Sequence, residues 1–113
     1  MYEYAGKITN VVDADTLDIS VDLGFGITAS HRFRLLGGDA YETRLGRGTT
    51  PEEKVLGLKA KQMVKDIVEA IGDNVKIVSS KQGKYGRYLC TVEFNDGRDL
   101  LDILGDNNFL KVE

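Results

Sequence analysis

The sequence predicts a mainly β chain with helices (α+β). Five short strands close into a small barrel, one long helix separates strands three and four, and a short helix lies near the C-terminus. Three observations lead there. Residues 16–23 alternate without a break, with Leu17, Ile19, Val21 and Leu23 on one face and Asp18, Ser20 and Asp22 on the other. A period of two marks a half-buried strand. Only residues 51–71 repeat apolar side chains at three- and four-residue steps. The strand-like segments fall three before and two after that helix, with hairpin spacing in the first half, which disfavours repeated strand–helix–strand units.

Residues 3–12 read as the first strand, with Tyr4, Ile8, Val11 and Val12 as its apolar content. Asp13-Ala14-Asp15 is a turn, because aspartates hydrogen-bond their own backbone there. Gly24-Phe25-Gly26 reverses the chain, and residues 27–36 return as the third strand. On that strand Phe33 and Leu35 share one face and Arg32 and Arg34 the other. Gly37-Gly38 then allows a sharp bend, followed at once by Asp39 and Glu42.

A loop with Arg44 and Arg47 leads to the helix. Thr50 suits the N-cap, Pro51 the first helical position, and Glu53 completes a capping box. Val55, Leu58, Met63, Val64, Ile67, Val68 and Ile71 form its apolar stripe, and Gly72 ends it. Gly57 inside the helix costs about 1 kcal/mol relative to alanine, which a close backbone approach beside Ala60 would explain. Residues 75–79 and 88–94 are the last two strands, separated by a polar loop. Asn95-Asp96-Gly97 turns the chain, Asp99 caps a short helix through Leu104 that ends at Gly105, and residues 109–112 are extended. Five strands in this order fit the oligonucleotide/oligosaccharide-binding (OB) barrel.

Composition sets bounds on function. At 113 residues the chain is one domain spanning residues 1–113. No apolar run approaches the roughly eighteen residues a membrane span needs. Residues 1–5 lack a secretory-signal pattern, so the expected location is cytoplasmic or, for a phage-encoded chain, intracellular. Cys90 is the single cysteine, which excludes an intrachain disulfide; its apolar neighbours make it a buried strand residue and no disulfide-linked partner is expected. The net charge of −3 argues mildly against nucleic acid, yet residues 44–87 carry 10 basic against 5 acidic side chains. The middle of the chain therefore suits a polyanion. A lysine-rich solvated helix accounts for about half of that excess.

Four pieces carry candidate chemistry. They are Asp13-Ala14-Asp15-Thr16 at a turn, Arg34 at a strand end, Asp39-Ala40-Tyr41-Glu42 just after it, and Lys84-Tyr85-Gly86-Arg87 before the fifth strand. Each alone also reads as an ordinary polar turn. Carboxylates beside guanidinium groups suit a hard cation next to a phosphate. No histidine or cysteine cluster accompanies them, which argues against zinc, and His31, the single histidine, reads as a structural or exposed strand residue.

In order, with Phe33-Arg34-Leu35 and Gly57-Leu58-Lys59-Ala60, these pieces resemble the staphylococcal nuclease (thermonuclease) family over roughly residues 5–112. The resemblance implies an OB-fold, calcium-dependent phosphodiesterase acting as a monomer on single-stranded or unwound DNA or RNA. It implies that Asp15, Asp39 and the Ala40 carbonyl hold Ca2+. Arg34 and Arg87 would bind the scissile phosphate, and Glu42 would orient or deprotonate the attacking water. Lys84 and Tyr85 would contact the nucleotide. Cleavage would expel the 5′ oxygen and leave 3′-phosphate ends. Arg44, Arg47 and Lys54 could guide the polyanion without reading bases.

Two departures bear on affinity: Ala14 stands where the family has glycine, a strain on the turn if that position needs positive φ, and Tyr41 stands where the family has proline, so the Glu42 turn is less rigid; Ala40 stands where the family usually has threonine, a change that a backbone carbonyl ligand tolerates. A second reading, motivated by the acidic balance, is a catalytically weak or inactive OB module that binds nucleic acid or a protein partner.

Overall fold

The computed structural model describes residues 2–37, 51–80 and 88–110. Its elements are β1 (Tyr2–Asp13), β2 (Thr16–Asp22), β3 (Thr28–Leu35), α1 (Pro51–Ile71), β4 (Asn74–Ser79), β5 (Tyr88–Phe94) and α2 (Leu100–Asp106). The strands close into a barrel in the order β1-β2-β3-β5-β4. All neighbours are antiparallel except β3 and β5, which pair in parallel through Phe33↔Tyr88, Arg34↔Leu89 and Leu35↔Cys90. This is the expected five-stranded α+β barrel of OB type, with the long helix between strands three and four.

Closure depends on β1, which pairs with both β2 and β4. Gly6 is opposite Val21 on one side and Val75 on the other. A Cβ at Gly6 would come within 2.8 Å of the Ile19 side chain, so the strands can approach this closely only over glycine. Register shifts at Ile8/Asn10 and Val11/Asp13 bend β1 further.

The core follows from strand alternation. Leu17, Ile19 and Val21 of β2, Phe33 and Leu35 of β3, Val75 and Ile77 of β4, and Cys90, Val92 and Phe94 of β5 all point inward. Burial pushes the Cys90 thiol up to about 12. Leu100, Ile103 and Leu104 of α2 and Ala60 and Val64 of α1 complete the cluster. Asp99 caps α2 as expected, its carboxylate accepting from the Leu101 N–H at 2.8 Å and the Asp102 N–H at 3.4 Å.

Several expectations change. Leu23 is 47% exposed, because β2 ends at Asp22 and has no β1 partner beyond Val21. Leu23, Phe25 and Ile27 therefore crown an exposed hairpin tip, turned by positive φ at Gly24, Phe25 and Gly26. Val55 and Leu58 of the expected stripe are also exposed. The buried line of α1 is Gly57, Ala60 and Val64, and both residues lie roughly 100° or more around the helix from it. Gly57 and Ala60 do share that line, consistent with a close helix approach. Gly72 ends α1 as expected, with φ +109° and its N–H donating to the Val68 carbonyl at 2.8 Å. Gly105 does not end α2, which runs to Asp106, is capped at Asn107, and is followed by left-handed Asn108. Asparagine tolerates that conformation. Thr50, the expected N-cap of α1, lies outside the described residues.

Candidate active site

Three chain segments meet at one corner of the barrel: the turn between β1 and β2, the end of β3, and the start of β5. Backbone hydrogen bonds fix the junction. Leu35 N–H donates to the Asp15 carbonyl and Leu36 N–H to the Cys90 carbonyl, both at 2.8 Å. Thr16 is opposite Arg34 in the β2–β3 register, so the residue just before β2 lands beside the guanidinium.

Asp15 occupies that place and is 5% exposed, the one buried charged residue among those described. A carboxylate so withdrawn from water needs charged or hydrogen-bonding company. Its Oδ1 accepts from the Thr16 hydroxyl at 3.1 Å, and its Oδ2 lies 3.7 Å from an Arg34 guanidinium nitrogen. The latter distance is an ion pair beyond hydrogen-bonding range. Beneath both, the packed side chains of Leu17, Phe33, Leu35, Cys90 and Leu100 leave no room for water. The pair thus sits on a dry floor, with the Arg34 side chain half-buried.

Ala14 answers the question raised by its replacement of glycine. Among the described non-glycine residues only Phe25 and Asn108 have positive φ, so the turn does not strain Ala14. Its methyl is fully buried and joins the core.

Of the residues expected from sequence, the structure therefore brings Asp15 and Arg34 together. Asp39, Ala40, Glu42, Lys84, Tyr85 and Arg87 lie outside the described residues, as do Arg44 and Arg47. In the chain, Asp39 comes two residues after Gly37 and Arg87 one residue before Tyr88, so the described strand ends of this corner flank both segments. Lys54 is half-buried in the first turn of α1. Among the described residues no group of three or more histidine, cysteine, aspartate or glutamate side chains gathers in metal-binding proximity.

The other polar features of the barrel belong elsewhere. Asp18 and Arg32 form a forked pair, with Nε donating at 2.9 Å and a terminal nitrogen at 3.3 Å. The Arg32 hydrogen bond holds the Asp18 carboxyl below its ordinary pKa. A groove of about 490 Å³ runs over β1, β4 and β5, where Lys76 bridges Glu93 at 3.2 Å and Glu3 at 3.8 Å. Neither Asp15 nor Arg34 lines it. His31 is exposed, as expected, and its ring packs on Tyr88. Sequence reading treats Tyr88 only as the first residue of a strand; the parallel β3–β5 register that joins these rings leaves no local signal.

No protein-family model matches the chain, and no curated protein matches it.

Proposed function

We propose that this barrel is a calcium-dependent phosphodiesterase that hydrolyses DNA or RNA at the 5′ P–O bond. The observation that carries the reading is the buried Asp15 carboxylate facing Arg34 where the β1–β2 turn, the end of β3 and the start of β5 converge. A buried acid beside a permanent cation, over a water-free floor, is a costly arrangement for stability alone.

The donor chemistry fits calcium. Asp15 offers carboxylate oxygen, and the acids and carbonyl expected nearby, Asp39 and Ala40, offer oxygen as well. When bound, the ion supplies positive charge to the phosphoryl oxygens. The chain's own residues do the rest. Arg34, joined by Arg87, donates to the phosphate oxygens and stabilises the charge that builds as phosphorus becomes five-coordinate. Glu42 orients the attacking water or takes its proton. A new P–O bond forms from that water as the bond to the 5′ oxygen breaks, and the leaving oxygen acquires a proton. Lys84 and Tyr85 hold the adjoining nucleotide.

The test is digestion of single-stranded DNA and of RNA in calcium, with and without chelator, followed by mapping of product ends. Chelator-sensitive cleavage leaving 3′-phosphates is expected. Tight oligonucleotide binding with no turnover in any divalent metal would replace this reading with the non-catalytic binding module.

A further inference from the structure

We infer that the tip of the β2–β3 hairpin docks on a lipid bilayer: Leu23, Phe25 and Ile27 enter a zwitterionic, phosphocholine surface while the barrel stays in water. The inference does not depend on the phosphodiesterase reading, because the tip and the Asp15–Arg34 corner lie at opposite ends of one hairpin. β2 runs from Thr16, beside that corner, to Asp22, and β3 returns from Thr28 to Leu35. Strand length sets the two ends roughly 20 Å apart.

Beyond the last strand pair, Asp22↔Thr28, the hairpin turns through residues 23–27, where Leu23, Phe25 and Ile27 are large and apolar. Leu23 is 47% exposed, Ile27 56% and Phe25 102%, so the phenylalanine ring gains no burial from its own chain. Phe25 also stands at φ +55°, in the left-handed region, between Gly24 at +83° and Gly26 at +74°. Glycine or asparagine suits that conformation, and a bulky ring does not. Neither core packing nor backbone preference accounts for phenylalanine here, which points to a contact outside the chain.

Area and charge select the occupant. Taking roughly 200 Å² for a full side chain of this size, the three exposures amount to about 400 Å² of apolar surface. A stable pairing of two proteins buries about 800 Å² on each, so the tip alone cannot hold a second copy. A lipid interface is fluid and needs no complementary surface, and interfacial elements sink about 5–10 Å into it. The tip reaches about 7 Å past Asp22 and Thr28, two residues of strand length, which matches that depth. Between Val21 and Ser30, Asp22 is the one ionisable side chain, and its carboxylate accepts from the Gly24 N–H at 2.8 Å. The tip therefore offers no cation to an anionic headgroup, and a zwitterionic surface is its complement. The Leu23 N–H donates to the Ile27 carbonyl and the Ile27 N–H to the Gly24 carbonyl, both at 2.9 Å, which lowers the cost of taking this backbone out of water.

The chain has no tryptophan, so Phe25→Trp supplies a single-site fluorescent probe. Phosphatidylcholine vesicles are expected to shift its emission to shorter wavelength and to carry the wild-type protein upward in flotation, equally at low and high salt. Vesicles containing phosphatidylglycerol should bind no more tightly. Phe25→Ser should weaken flotation about 10-fold or more with an unchanged melting curve, as loss of a large apolar side chain implies. Leu23→Ser and Ile27→Ser should act in the same direction by less. No emission shift and no flotation, or flotation of Phe25→Ser equal to wild type, overturns the inference. An emission shift without lipid that grows with protein concentration also overturns it, making a second copy the occupant. Binding confined to anionic vesicles and abolished by salt overturns it as well, placing the contact on lysines elsewhere.

Discussion

Asp18 with Arg32 ties β2 to β3, and Asp15 with Arg34 ties the turn just before β2 to β3; the two side-chain types are the same, yet the pairs are built differently. Asp18 and Arg32 meet in a forked, largely exposed contact at 2.9 Å and 3.3 Å. Asp15 is buried, accepts a hydrogen bond from the Thr16 hydroxyl, and lies 3.7 Å from an Arg34 guanidinium nitrogen. The first pair spends its hydrogen-bonding geometry on itself and has the form of a solvated surface bridge. The second keeps a carboxylate out of water, 3.7 Å from a guanidinium nitrogen. What separates them is burial where the β1–β2 turn, the end of β3 and the start of β5 meet.

The largest difference between the pairs should appear in metal use. Asp15→Asn is expected to raise the calcium concentration for half-maximal hydrolysis by at least about tenfold, since ligand charge sets affinity for hard cations. Asp18→Asn should leave it unchanged. Equal responses would erase the distinction.

Stability should separate them next. Asp15→Ala removes the carboxylate that accepts from the Thr16 hydroxyl and lies beside Arg34, which costs about 1–3 kcal/mol in urea unfolding. Asp18→Ala, at a solvated bridge, should cost less.

Cys90 reports whether the floor of the Asp15 corner opens. Its thiol is pushed up to about 12 by burial, so at pH 8 a thiol reagent should label it only as fast as the barrel unfolds. Because the folded value lies above the unfolded one, its contribution to stability is full below about pH 8.5 and declines as pH rises. Rapid labelling at pH 8 would mean the floor opens locally.

The smallest effect is acid dependence at the exposed pair. The Asp18 carboxyl is held low by its hydrogen bond from Arg32. Its contribution is therefore present above about pH 4 and is lost as pH falls through the lowered folded value. The stability gap between wild type and Asp18→Asn should narrow in that window, and should also shrink in high salt.

Much of this architecture was legible residue by residue. Strict alternation gave β2, Gly72 gave the end of α1, Asp99 gave the cap of α2, and strand order gave the barrel. Leu23, Val55 and Leu58 were misread because periodicity says which residues share a face, not where a neighbouring strand stops or which part of a helix faces the barrel. Asp15 and Arg34 were legible as candidates from motif order, and the structure supplies their contact and burial. The Tyr88–His31 contact was invisible, since parallel pairing of β3 with β5 joins segments far apart in the chain. The remaining expected residues, Asp39, Ala40, Glu42, Lys84, Tyr85 and Arg87, fall outside the described segments.

The most direct measurement is the rate of calcium-dependent hydrolysis of a single-stranded oligonucleotide by wild type, Arg34→Ala and Arg32→Ala, with folding checked by circular dichroism. Arg34→Ala should lose about 10²- to 10⁵-fold, as expected for a guanidinium that stabilises phosphoryl-transfer charge, while Arg32→Ala stays within about twofold of wild type. Equal rates for the two folded variants, or no chelator-sensitive hydrolysis by the wild-type protein, would contradict the assignment of the Asp15–Arg34 corner as the catalytic centre.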